Sequence, residues 1–167
     1  MPLLDLSPKI AVPGPLAAYT RASLVVPELR EGDTAGVIGE LSVLLQREGS
    51  VPDMLPFYHT ALNQELLASS ALECGLACPH ARLSGVKQLK FAFGRTREPI
   101  TWGANGTWPV QLIFLIAVPA TDAASYLHLL ASLARLGEQT QLLDELRRAT
   151  APEAMLALLE KVSLRPG

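Results

Sequence analysis

The alternation of apolar and polar positions divides the chain into segments of two different periods. Val37, Ile38, Leu41, Leu44 and Leu45 recur at spacings of three and four, the stripe of a helix with one buried face, and Asp33 or Thr34 stands where its N-cap belongs. Gly49 ends that run. Pro52 and Asp53 then open a second helix, about 53 to 67, which carries His59, Asn63, Gln64 and Glu65 and stops near Ser69-Ser70. Ahead of both, Leu24-Val25-Val26 reads as a short strand closed by Pro27. Beyond them the period falls to two: Phe91 and Phe93 share one face of an alternating run from about 87 to 94. Val110 to Val118 is the most hydrophobic stretch, suits a buried strand and is closed by Pro119. The turn-rich link Arg97 to Pro109, with Trp102, Gly103, Asn105, Gly106 and Trp108, reads as a hairpin or loop.

The remainder of the chain is helical in pattern. A helix capped by Thr121 passes through Tyr126, Leu127, Leu130, Leu133 and Ala134 to Gly137 and contains His128. A second covers about 139 to 148. A third begins at Thr150-Ala151-Pro152-Glu153, where threonine, early proline and glutamate have the spacing of a capping box. Helices, then strands, then helices predict a single-domain α/β layer fold, a mixed sheet flanked by helices. Residues 1 to 20, with prolines at 2, 8, 13 and 15, are expected to be an arm, draped on the domain or partly disordered, and 21 to 164 the domain itself.

Charge narrows the function classes. With 14 basic and 16 acidic residues scattered over 167 positions, no basic face argues for nucleic acid or an anionic membrane. No apolar run approaches the length of a membrane span, and Asp5 and Lys9 with the early prolines are unlike a signal peptide, so a soluble cytoplasmic protein is expected. Cys74 and Cys78, four apart beside a strand, suit a reducing compartment better than a disulfide.

The candidate chemistry gathers at Gly75-Leu76-Ala77-Cys78-Pro79-His80. Pro79 fixes its own φ and holds Cys78 extended, so that His80 leaves a strand end at a defined angle. Taken alone, a histidine after a proline reads as a turn residue, and His128, between Leu127 and Leu129, as a core residue. Cys74, Cys78 and His80, with His59 or His128 as fourth donor, would make a mixed zinc site, but Cys-x3-Cys-x-His is not a standard finger spacing. Cys78 as nucleophile is opposed by its apolar strand, which silences a thiol.

Taken together, Asn63-Gln64-Glu65 at a helix end, Gly75 to His80, Pro109 to Pro119, and His128 with Leu129-Leu130-Ala131 resemble the fructose/mannitol-type enzyme IIA domain of the bacterial phosphotransferase system, the nitrogen-regulatory branch included, over residues 22 to 163. The resemblance implies the enzyme IIA fold and a phosphoryl carrier: His80 accepts phosphate from HPr or a relative, and passes it to a cysteine of a IIB domain or acts as a nitrogen-type regulator. It implies His128 as a second histidine beside the acceptor, donating a hydrogen bond to the phosphoryl group, and neither metal nor cofactor. The family's arginine before the glutamate is here Gln64, which donates hydrogen bonds without charge. Arg82, two residues past His80, is the candidate replacement. Glu73, Cys74 and Cys78 also depart from the family's usual small, polar or branched residues. These losses motivate an alternative, a IIA-like regulatory module that binds a partner through an apolar rim of Leu76, Leu83 and Trp102 or Trp108 without transferring phosphate. Transport or regulatory role, sugar and oligomeric state are left open.

Overall fold

Strand β5 (Val110–Pro119) is the axis of the fold, and nearly all of it is buried. The structure, a computed structural model, describes residues 15–162. Because successive side chains of a strand point to opposite faces, β5 builds two cores at once. Leu112, Phe114, Ile116 and Val118 enter one, and Ile113, Leu115 and Ala117 the other. Strand β4 (Lys90–Ile100) runs antiparallel to it, with Phe93 opposite Phe114. Those two rings stack at 4.3 Å between centroids. A two-residue strand β1 (Val25–Val26) pairs parallel to β4 at the far side.

The other edge of β5 holds two short parallel strands, β2 (Leu76–Ala77) and β3 (His80–Leu83). They keep one register: Ala77 faces Ile113 and His80 faces Ile116. They are therefore one edge strand interrupted at Cys78-Pro79. Across the gap the Ile116 amide still donates to the Pro79 carbonyl at 2.9 Å. The Pro79 carbonyl faces β5, and so does the position of its missing N–H, so the proline removes one donor from the ladder at the break.

Helices cover both faces. On one lie α1 (Thr34–Arg47) and α2 (Met54–Leu67). Asp33 caps α1, accepting from the Gly36 amide at 2.7 Å, while the Thr34 hydroxyl accepts from Gly103 in the loop before β5. Gly49, at φ +79°, takes the left-handed turn that ends α1. Asp53 caps α2. The opposite face carries α3 (Ala123–Leu136), α4 (Thr140–Arg148) and α5 (Pro152–Leu159). The Arg95 guanidinium donates to the Leu146 and Ala149 carbonyls, tying the end of α4 to the sheet. Residues 16–19, inside the expected arm, form a 3-10 turn that buries Leu16 in the core and donates from its amide to the Val162 carbonyl. Residues 1–14 lie outside the described residues.

Three local expectations are corrected. β4 continues to Ile100, past an irregularity after Arg95 where the Thr96 hydroxyl donates to the Glu98 carbonyl. The exposed Arg97-Glu98-Pro99 made that stretch look like loop, yet Ile100 pairs again with Val110. The cap of α3 is Asp122, which accepts from the Ser125 amide at 3.1 Å, not Thr121. No capping box forms at α5, because Ala151 occupies the N-cap and Thr150 lies one residue too early. Asp122→Ala is expected to cost about 1 kcal/mol in a thermal melt, and Thr121→Ala less than about 0.5 kcal/mol.

Candidate functional site

His80 opens β3 half-buried, immediately after the break that Pro79 makes in the edge strand. In the neutral imidazole one ring nitrogen carries the proton and the other the lone pair. Burial holds the His80 pKa below the ordinary histidine value, opposed by the Glu65 carboxylate and aided by the Arg82 cation. A neutral, oriented imidazole at physiological pH is the state a nitrogen nucleophile needs.

The Cys78-Pro79-His80 turn is held from the α2 side by a carboxylate. Glu65 shares the buried stripe of α2 with Phe57 and Ala61 and is 3% exposed. Its Oε1 accepts from the Ser70 amide at 2.8 Å, the Ser70 hydroxyl at 2.9 Å and the Trp102 indole N–H at 2.7 Å. The Ser70 oxygen in turn accepts from the Cys78 amide at 2.7 Å. One chain of hydrogen bonds thus runs from the loop before β5, through the end of α2, to the backbone that aims His80.

The remaining expected residues sit differently. Arg82 is exposed two positions along β3, on the same side of the strand as His80, and among the described residues it has no ion-pair or hydrogen-bond partner. Gln64 is exposed on α2, and among the described residues its side chain makes no hydrogen bond. His128 is exposed, on the side of α3 away from the buried Tyr126, Leu129, Leu133 and Leu136. The α3 ring that meets His80 is Tyr126, at 5.0 Å between centroids and 40° between planes. Burial pushes the Tyr126 pKa up to about 12. Tyr126 was not read as a site residue, since a tyrosine in an apolar helical stripe is ordinarily core. Of the proposed apolar rim, Leu76 and Trp102 are buried, while Trp108 is partly exposed and Leu83 intermediate. Cys78 is buried, which pushes its thiol pKa far up and makes it a poor nucleophile. Cys74 and Cys78 are both free thiols.

No helix among the described residues is long and apolar enough to cross a membrane. The family described as "Phosphoenolpyruvate-dependent sugar phosphotransferase system, EIIA 2" matches residues 19–162. A nitrogen regulatory protein of Pseudomonas aeruginosa is 28% identical over 131 residues, 78% of this chain and 85% of that protein. The 2-O-alpha-mannosyl-D-glycerate-specific EIIABC component of Escherichia coli is 30% identical over 125 residues, 74% of this chain but 19% of its own length. The fructose-specific EIIABC component of Bacillus subtilis is likewise spanned over only 20% of its length. Among solved structures, the nitrogen regulatory protein IIA-Ntr of Neisseria meningitidis superposes with a TM-score of 0.73 at 31% identity, covering 86% of this chain and 98% of that one. Enzyme IIA mannitol of E. coli, solved in complex with phosphorylated enzyme IIB, shares the fold at 17% identity, with a TM-score of 0.71 over 84% of this chain and 97% of its own. A sheet with helices on both faces thus has its counterpart in solved structures, and the chain belongs to the EIIA 2 family of the phosphoenolpyruvate-dependent sugar phosphotransferase system.

Proposed function

We propose that this chain is a phosphoryl carrier in which His80 accepts phosphate from an HPr-like phosphocarrier and passes it to a IIB cysteine or uses it to act on a regulatory target. The observation that carries the reading is the place of the His80 imidazole: half-buried at the break in the edge strand, with its ring against that of Tyr126. The free nitrogen's lone pair forms the bond to phosphorus while the donor's N–P bond breaks, its electron pair remaining on the donor histidine. The protein's part is to orient the ring and offset charge on the equatorial oxygens. Both nitrogen regulatory proteins and sugar-specific components stand among the relatives, so the carrier reading is common to either output.

Arg82 supports that charge balance. Gln64 cannot neutralise a phosphoryl oxygen, and Arg82 is a cation whose field already reaches the acceptor ring. Arg82→Gln is expected to slow phosphoryl uptake from phosphorylated HPr by about tenfold to a hundredfold, the worth of one charge-assisted hydrogen bond. Its absence also eases protonation of His80, so the acid limb of the pH–rate profile moves to higher pH. Rapid-quench measurement of acid-labile phosphate checks both; an unchanged rate and limb would remove Arg82 from the site. The carrier reading itself is tested by incubating the protein with the phosphorylated carrier and following a phosphohistidine resonance by phosphorus NMR. Absence of that resonance, with phosphorylated carrier still present, would overturn it.

A further inference from the structure

α3 presents one aromatic ring to the acceptor, that of Tyr126 and not of His128, the residue that the family resemblance implies. Tyr126 is 9% exposed and packs its ring on His80. Its side chain makes no hydrogen bond among the described residues, and its oxygen is not one of the sealed polar atoms that lack a partner. The hydroxyl is therefore an uncommitted donor at the solvent-facing margin of the site. The charges it feels are those that surround His80: Arg82 from β3, Glu65 from α2 and the Cys78 thiol from the strand break. Further along, Asp122 at the start of α3 acts on Tyr19.

We propose that Tyr126 is the second phosphoryl-site residue of this chain: its ring braces the His80 imidazole, and its hydroxyl donates a hydrogen bond to an oxygen of the phosphoryl group carried there. This rests on the reading of His80 as acceptor. Tyr126 keeps its own proton throughout, so no step is added to the transfer. The choice of residue has a consequence for pH. An imidazole in this place would gain and lose charge near neutrality, whereas a phenol held protonated by burial is the same donor across the physiological range. A neutral donor also adds no second ionisation to the profile, so His80 alone sets its acid limb.

The test compares phosphoryl uptake from phosphorylated HPr by the wild-type protein, Tyr126→Phe and Tyr126→His, from about pH 5.5 to about pH 8.5. Tyr126→Phe retains the ring and the packing, and thermal melts report whether each variant is folded. The expected result is a loss of about tenfold to a hundredfold in rate for Tyr126→Phe at every pH. Tyr126→His, whose imidazole keeps an N–H donor in either protonation state and gains charge on acidification, is expected to recover rate and to show a second ionisation, a signature that a packing role does not produce. A rate for folded Tyr126→Phe within about twofold of wild type would overturn the proposal. So would a Tyr126→His variant equally slow at all pH values. If wild-type protein takes up no phosphate at all, the acceptor reading falls and this inference with it, so the two failures are distinguishable.

Discussion

Glu65→Ala is expected to destabilise the protein by about 3–5 kcal/mol, because the loss leaves buried donors unpaired rather than merely removing a contact. The Trp102 indole N–H and the Ser70 amide both end on the same carboxylate oxygen, and Trp102 is 1% exposed. Each buried donor stranded without a partner costs about 1–3 kcal/mol, and the methylenes removed from the packed end of α2 add a cavity. Glu65→Gln keeps a carbonyl oxygen able to accept, and should lose less than half as much. Urea unfolding followed by tryptophan fluorescence and by circular dichroism measures the difference. A Glu65→Ala variant within about 1 kcal/mol of wild type would show that the network around Ser70 is not what anchors this corner. The same substitution frees the Cys78 amide from a fixed Ser70, so phosphoryl uptake by any surviving folded protein should fall as well.

That network marks the boundary of what the chain reveals by itself. α1, α2 and β5 are legible because their periods are unambiguous: five apolar residues at helical spacing, and a long apolar run bounded by prolines. The strand break is legible too, since Pro79 cannot donate to a ladder. What escapes are relations between elements. Glu65 lies four residues beyond Ala61 and eight beyond Phe57, a spacing that turns it inward, but a carboxylate in that stripe reads as surface until its partners are known. Tyr126 and His128 are two residues apart, which on a helix is a rotation of about 200°. The family resemblance implies His128, while packing of Leu129, Leu133 and Leu136 against the sheet turns Tyr126 toward His80. Cap assignments fail for a similar reason: Thr121 and Thr150 have suitable side chains, but Asp122 and Ala151 hold the backbone geometry. The extension of β4 through Glu98-Pro99 is hidden by polar composition over an irregular stretch whose pairing resumes only at Ile100.

His80→Ala is expected to abolish phosphoryl uptake outright while leaving the fold intact, since the side chain is only half-buried and stands at the break in an edge strand. Among the described residues, no other group in the vicinity can substitute for it. Cys78 is held as a neutral thiol by burial, Tyr126 as a neutral phenol, and His128 faces solvent on the far side of α3. The decisive measurement is intact-mass spectrometry of the wild-type protein and His80→Ala after incubation with phosphoenolpyruvate, enzyme I and HPr, at neutral to alkaline pH so that phosphohistidine survives. The account predicts a mass gain of one phosphoryl group on the wild-type chain, lost on brief acid treatment and absent from His80→Ala. A wild-type chain that gains no phosphate from the organism's own carrier or from a surrogate, or a His80→Ala chain that gains it, would contradict the account.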